Sequence, residues 1–213
     1  METTETIQTD QVLVQAQTEE LLLHLLEICD RLCHTLDLKD LLWQILKKSC
    51  DLTWSDAGSI YLIEREDALA TVCFMVSYNA SQPDRSLESF ALPMTTNTLV
   101  GYVALTGEIL NLEDVYQLPA NAPYQHHSTF DADIGYRTRS ALVLPLLDHQ
   151  NVVIGVMQLL NRKTKPNLTV LPENAYTVTQ PYSQLEVNFL RSLASITAIA
   201  VERIQLLSKS GSL

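Results

Sequence analysis

Glycine is scarce in this chain, with six in 213 residues. A loop that cradles phosphates on backbone N–H groups needs several of them close together. Neither a P-loop nor a Rossmann glycine pattern occurs, nor does a serine nucleophile elbow or the HExxH zinc signature. Positive charge is scarce too: 14 Lys and Arg stand against 25 Asp and Glu, a net charge of −11. Such a surface repels phosphate backbones and argues against a nucleic-acid partner. It leaves room for a small anion, which responds to the local field of its pocket. No apolar run approaches the roughly 18 residues that suggest a membrane span. The opening METTETIQTD is acidic and polar, unlike a secretory signal. Cysteine is limited to Cys29, Cys33, Cys50 and Cys73, each inside an apolar run. A cytoplasmic protein with reduced thiols is therefore expected.

What is present is a globular composition, 46% hydrophobic and 18% charged, enough to bury a substantial core. Residues 1–17 are polar and read as a flexible arm. From Thr18 apolar residues recur at three and four (Leu22, Leu25, Cys29, Leu32, Leu36), a heptad-like seam on a helix. A break is expected at 37–40 and a second helix at 41–50. Residues 57–63 and 68–78 read as a hairpin around a charged turn, and 87–92 as an edge strand. A short helix is expected over 95–106, stopped by Gly107, and a short strand over 109–112. Residues 163–181 hold three prolines and read as an inserted loop with a small β-ribbon. Residues 183–209 read as a long helix whose seam is Phe189, Leu193, Ile196, Ala200, Ile204 and Leu207. Helix, hairpin, small helices, hairpin, helix is an α+β order with an antiparallel sheet.

The richest stretch is 111–162. A polar and aromatic loop over 114–133 leads to Gly135-Tyr136-Arg137-Thr138-Arg139-Ser140. Two apolar runs follow, 141–147 and 152–160, joined by Asp148-His149-Gln150-Asn151. They read as a buried hairpin, and a loop of this kind on a rigid hairpin is where small molecules commonly bind. The GYRTRS phrase with ALVLPL and IGVMQLLNRK resembles the second half of a GAF domain, the sensory module of cyclic-nucleotide phosphodiesterases, adenylyl cyclases and bacterial signalling proteins. The upstream DVYQLPANAPY…FD resembles the GAF domains attached to HD-type (HD-GYP) phosphohydrolases. The likeness covers roughly residues 38–204.

That resemblance implies an antiparallel sheet of about six strands, with the N- and C-terminal helices on one face and a ligand-pocket loop region on the other. It implies a single domain over 18–207, with a tail at 208–213 cut before an output domain. By position it implies ligand contacts from Ser59, Tyr124, Phe130, Asp131 and Thr138, with a cyclic nucleotide or another small metabolite as the ligand. An aromatic can stack on a base, hydroxyls and N–H groups can hold a phosphate, and a carboxylate can accept from an exocyclic amine. The family's spaced Asn-Lys…Phe-x-x-x-Asp-Glu signature is altered here to Asn161-Arg162…Tyr182…Glu186-Val187. Arg162 and Glu186 can still form its structural ion pair.

The function so implied is a non-enzymatic regulatory domain. It would sense a small molecule and pass its state through a homodimer of terminal helices to a C-terminal catalytic domain, an HD-type phosphohydrolase first. The alternative is a ligand-free module for dimerisation and scaffolding. Other chemistries are disfavoured. His126 and His127 are adjacent and point apart, a poor metal chelate, so no metal is expected. Cys29, Cys33 and His34 fall in or beside the apolar seam, where cysteine is usually inert core. They also lie far from the loop where GAF relatives attach a bilin. Residues 94–160 hold no cysteine, unlike the pocket of GAF-type methionine sulfoxide reductases. Arg137 and Arg139 are expected either at the pocket or paired with acids of the loop.

Overall fold

The computed structural model describes residues 37–66, 69–84 and 91–211, together with Leu23. The chain divides into two compact units, residues 1–35 and 36–213. Of the first, Leu23 alone is described, in helical conformation. The expected arm, the rest of the first helix and the group Cys29, Cys33 and His34 lie outside the described residues.

The second unit opens with helix α1 (Leu38–Thr53). It begins earlier than the sequence suggested because Asp37 is its N-cap, accepting the Asp40 N–H at 2.7 Å. Residues 37–40 are thus a cap and first turn instead of a break. Strands β1 (Ser55–Glu66) and β2 (Leu69–Asn79) form the first hairpin. Strand β3 (Ala91–Pro93) pairs with β2 at one edge, and residues 87–90 of the expected edge strand lie outside the described residues. Helix α2 (Leu99–Thr106) is capped by Thr98, whose hydroxyl takes the Gly101 N–H, and is stopped by Gly107 at φ 71. After β4 (Leu110–Leu112) comes the long loop, which contains helix α3 (Ser128–Ile134). Strands β5 (Ala141–Leu147) and β6 (Val153–Arg162) make the second hairpin. Residues 163–181 form no β-ribbon. They hold one bridge between Lys163 and Thr179 and the short helix α4 (Ala175–Val178). Helix α5 (Gln184–Lys209) then starts on a Ser183–Glu186 capping box.

The sheet has six strands in the order β3-β2-β1-β6-β5-β4, antiparallel throughout. This is the α+β architecture the sequence implied. Helices α1 and α5 pack on one face and against each other, with α1 on β1 and β2 and α5 mainly on β5. Helix α2 lies across β5 and β6. Side-chain alternation divides the strands between these layers. A Cβ on Gly58 would sit 2.9 Å from Leu46 of α1, so Gly58 faces the terminal helices. Its neighbours Ala57 and Ser59 face the other way, and Tyr61 joins Val143, Val156 and the α2 residues Leu99 and Val103 in a separate core.

The heptad-like seam of α5 is used inside the chain. Phe189, Leu193, Ala200 and Ile204 are all buried. An amphipathic stripe reads the same whether it covers the protein's own sheet or a partner helix. The apolar residues that α5 leaves outside are Leu185, Ile199 and Leu206.

Candidate ligand cavity

On the face of the sheet opposite α1, strands β1 and β6 leave an open floor. Ser59 stands directly across from Gln158. These two, with Tyr61 and Leu160, form the base of a cavity of about 440 Å³. The start of α2 supplies one wall through Thr98, Leu99 and Val100, and α3 supplies another through Thr129, Phe130, Asp131 and Ile134. The size is that of a small-molecule site. The α2 wall depends on Gly101: a Cβ there would meet the Thr95 carbonyl oxygen at 2.0 Å, so only glycine lets the loop pass this close to the helix.

Asp131 anchors the α3 wall. It is buried and accepts four hydrogen bonds: from the Thr138 N–H at 2.7 Å, the Thr138 hydroxyl at 3.0 Å, the Tyr116 hydroxyl at 2.8 Å and His126 Nε2 at 2.9 Å. Burial alone would raise its pKa, but the bonds from His126, Thr138 and Tyr116 together outweigh it and hold the carboxyl below its ordinary value. Tyr116 moves the other way, up to about 12, first through burial and then through its bond to Asp131. Tyr61 on the floor is also pushed up to about 12 by burial.

The turn that carries Thr138 is held by Asn161. At φ 56 its side chain accepts the Arg139 N–H at 2.6 Å and donates to the Arg137 carbonyl at 2.8 Å. Beneath it, buried Asp56 accepts from the Tyr136 and Ser81 hydroxyls at 2.8 and 2.7 Å, with Lys163 Nζ at 3.5 Å. Burial drives the Tyr136 hydroxyl well above its ordinary pKa, so it stays a donor.

Of the residues the sequence placed at the site, Ser59, Phe130, Asp131 and Thr138 line the cavity. Tyr124 does not: its ring packs edge-on against Tyr102, 4.8 Å between centroids. Asp131 is built into the wall by Tyr116, His126 and Thr138, which alters the role foreseen for it as an acceptor for a ligand amine. Phe130 is 45% exposed at the wall of the cavity. Arg162 Nε lies 2.6 Å from Glu186 Oε1, and Glu186 Oε2 takes the Ser183 N–H at 2.7 Å, so the pair also fastens the start of α5. Tyr182, which stands where the signature has Phe, uses its hydroxyl on Ser55 at 2.8 Å.

Sequence reading missed Gln158 and Gln125 as lining residues, whereas His126 and His127, read as polar loop residues near a pocket, do line it. Gln158 had a signal, being the one polar side chain between Val153 and Leu160. Its amide has no hydrogen-bond partner among the described residues, leaving a donor and an acceptor free for an occupant. The lining residues include no Lys or Arg. One group of three metal-type ligands among the described residues, Asp148, His149 and Glu202, brings its ligand atoms within 4.8 Å of one another. It lies outside the cavity, and Asp148 Oδ1 already accepts the Gln150 and Val152 N–H groups.

The family model for the GAF domain matches residues 35–202 of this chain, which carry the six-stranded sheet and the cavity. The chain belongs to the GAF domain family. It is 28% identical over 147 residues to a dual 3',5'-cyclic-AMP and -GMP phosphodiesterase 11A of Takifugu rubripes, covering 67% of this chain and 16% of that protein. It is 24% identical over 159 residues to the dual 3',5'-cyclic-AMP and -GMP phosphodiesterase 11 of Drosophila melanogaster, covering 71% of this chain and 11% of that one. The matched segment is thus a small part of either relative. Among solved structures, the GAF domain of an Acinetobacter phosphoenolpyruvate-protein phosphotransferase superposes with a TM-score of 0.64 at 21% identity, covering 87% of this chain and 95% of that one. At that identity the likeness is one of fold.

Proposed function

We propose that this GAF domain is a regulatory sensor that binds a small cytosolic molecule in the β1–β6 cavity and passes its state through α5 to an attached catalytic domain. The observation that carries the reading is the cavity itself. About 440 Å³ is walled by α2 and α3, floored by Ser59 and Gln158, and offers an unpaired amide beside exposed Phe130. Such a site binds and orients. The domain's role is read as non-enzymatic.

A cyclic nucleotide is the first ligand to test, since both phosphodiesterase relatives are named for acting on one. Phe130 would stack on the base, Gln158 would pair with its edge, and the N–H groups opening α2 would receive the phosphate. The output domain is read as a phosphohydrolase, HD-type on the resemblance of the 114–131 loop. The ligand controls it only by binding two arrangements of α5 unequally. A homodimer brings two copies of α5 together. With the seam buried, its contact surface is read as Leu185, Ile199 and Leu206. A cytoplasmic setting agrees with the free thiols of Cys50 and Cys73. No helix among the described residues is long and apolar enough to cross a membrane.

The test is thermal melting and calorimetry with cyclic AMP, cyclic GMP and a metabolite panel. A ligand at a hundred times its Kd adds about 2.7 kcal/mol of stability, and Gln158→Ala should abolish that gain while leaving the unliganded melt unchanged. Should no compound move the melt, the sensor reading falls and the scaffold reading stands.

A further inference from the structure

Thr138 turns inward to Asp131, whereas Arg137 and Arg139 on either side of it do not line the cavity. The Arg137 guanidinium lies 4.0 Å over the Tyr116 ring and 5.2 Å from that of Tyr176, and its Nη2 donates to the Tyr176 hydroxyl at 3.0 Å. The Arg139 guanidinium lies 5.4 Å from the same Tyr176 ring, and its Nη1 donates to the carbonyls of Tyr176 at 3.0 Å and Thr179 at 2.6 Å. Neither forms an ion pair among the described residues. The acid that acts on Arg137 is Asp114. Its carboxylate is occupied by the Tyr116 N–H and the Gln117 amide. The Nε–H groups of both arginines are buried without an acceptor among the described residues.

In a chain with 25 acids and 14 bases, two neighbouring guanidiniums without a carboxylate among the described residues are unusual. A buried donor with no acceptor is costly, and an unseen ion is one of the few physical reasons for keeping it. Stacking on Tyr116 and Tyr176 fixes both forks before anything binds, so little freedom is lost when an oxyanion arrives.

We propose that Arg137 and Arg139, held by Tyr116 and Tyr176, form an anion site outside the cavity for a small phosphate-type dianion. A phosphate carries about −1.5 to −2 charges near neutral pH, which matches two guanidiniums as a single carboxylate does not. The site is distinct from the cavity: neither arginine lines it, so the inference stands whether or not the cavity binds a ligand. The two are linked physically, because Tyr116 touches Arg137 on one side and donates to Asp131 on the other.

The test is side-chain NMR of arginine-labelled protein titrated with inorganic phosphate at constant ionic strength. The Nε–H signals of Arg137 and Arg139 should move together and saturate, while acetate over the same range gives no saturation. Arg137→Gln and Arg139→Gln should each weaken phosphate binding about tenfold or more. Arg139 also ties the chain at residues 176 and 179, so a failure of Arg139→Gln to fold leaves Arg137→Lys to decide. That variant keeps the charge, loses the fork, and should bind phosphate more weakly while the protein still folds. Signals that drift without saturating, or that answer acetate as they do phosphate, overturn the proposal. Phosphate affinity unchanged in the Arg137 variants overturns it equally.

Discussion

Asp131 concentrates more interactions than any other residue at the cavity, and its charge is what they share. Asp131→Asn should cost about 2–4 kcal/mol at neutral pH, because the Tyr116 and Thr138 donors and His126 are left around a neutral amide. The pH dependence has a definite sign. The folded pKa is lowered from 3.8, so the stabilisation is present above the unfolded value and is lost as pH falls through the folded one. Acid unfolding followed by circular dichroism should show that component in the wild type and not in Asp131→Asn. Asn161 makes a second residue-level case. Asn161→Ala loses both backbone bonds and places alanine at a positive φ that asparagine tolerates better, which should destabilise by about 2–3 kcal/mol in urea titrations.

At the scale of the element, α5 owes its start to Glu186, which serves the capping box and Arg162 at once. Glu186→Gln keeps the cap acceptor and should cost about 1 kcal/mol, whereas Glu186→Ala removes both and should cost about 2. Hydrogen exchange of the first-turn amides of α5 distinguishes the two, with faster exchange in the alanine variant. The elements themselves were legible to different degrees, for physical reasons. The hairpins and α5 were readable because apolar period and turn residues coincide over many positions. The start of α1 was misplaced because Asp37 and Asp40 look like a polar break until one donates its N–H to the other. The β-ribbon expected in 163–181 rested on composition alone. Four lining residues followed from position in a family. Tyr124 was misplaced because an aromatic in a loop carries no period to tell inside from outside. Gln158 was visible as a lone polar residue in an apolar strand, and its direction needed the register with Ser59.

For the whole molecule, the exposed residues of α5 bear on assembly. Ile199 and Leu206 are 65% and 67% exposed, seven residues apart on one helical face. Ile199→Glu with Leu206→Glu should convert a dimer to a monomer in sedimentation velocity, with the melt of the isolated fold shifted by less than about 1 kcal/mol. A dimer that survives both changes uses some other surface.

The alternation along β1 and β6 has one more consequence, for how such a protein can be altered. Ser59, Tyr61, Gln158 and Leu160 look toward the cavity, while Gly58 and Gly155 turn toward Leu46, Leu62 and Leu146 on the helix side. Odd and even positions of the same strand therefore answer to different constraints. A new occupant can be accommodated by rewriting one parity while the other keeps its contacts with α1 and α5. The cavity face and the helix face can drift apart in sequence while they remain bolted to the same backbone.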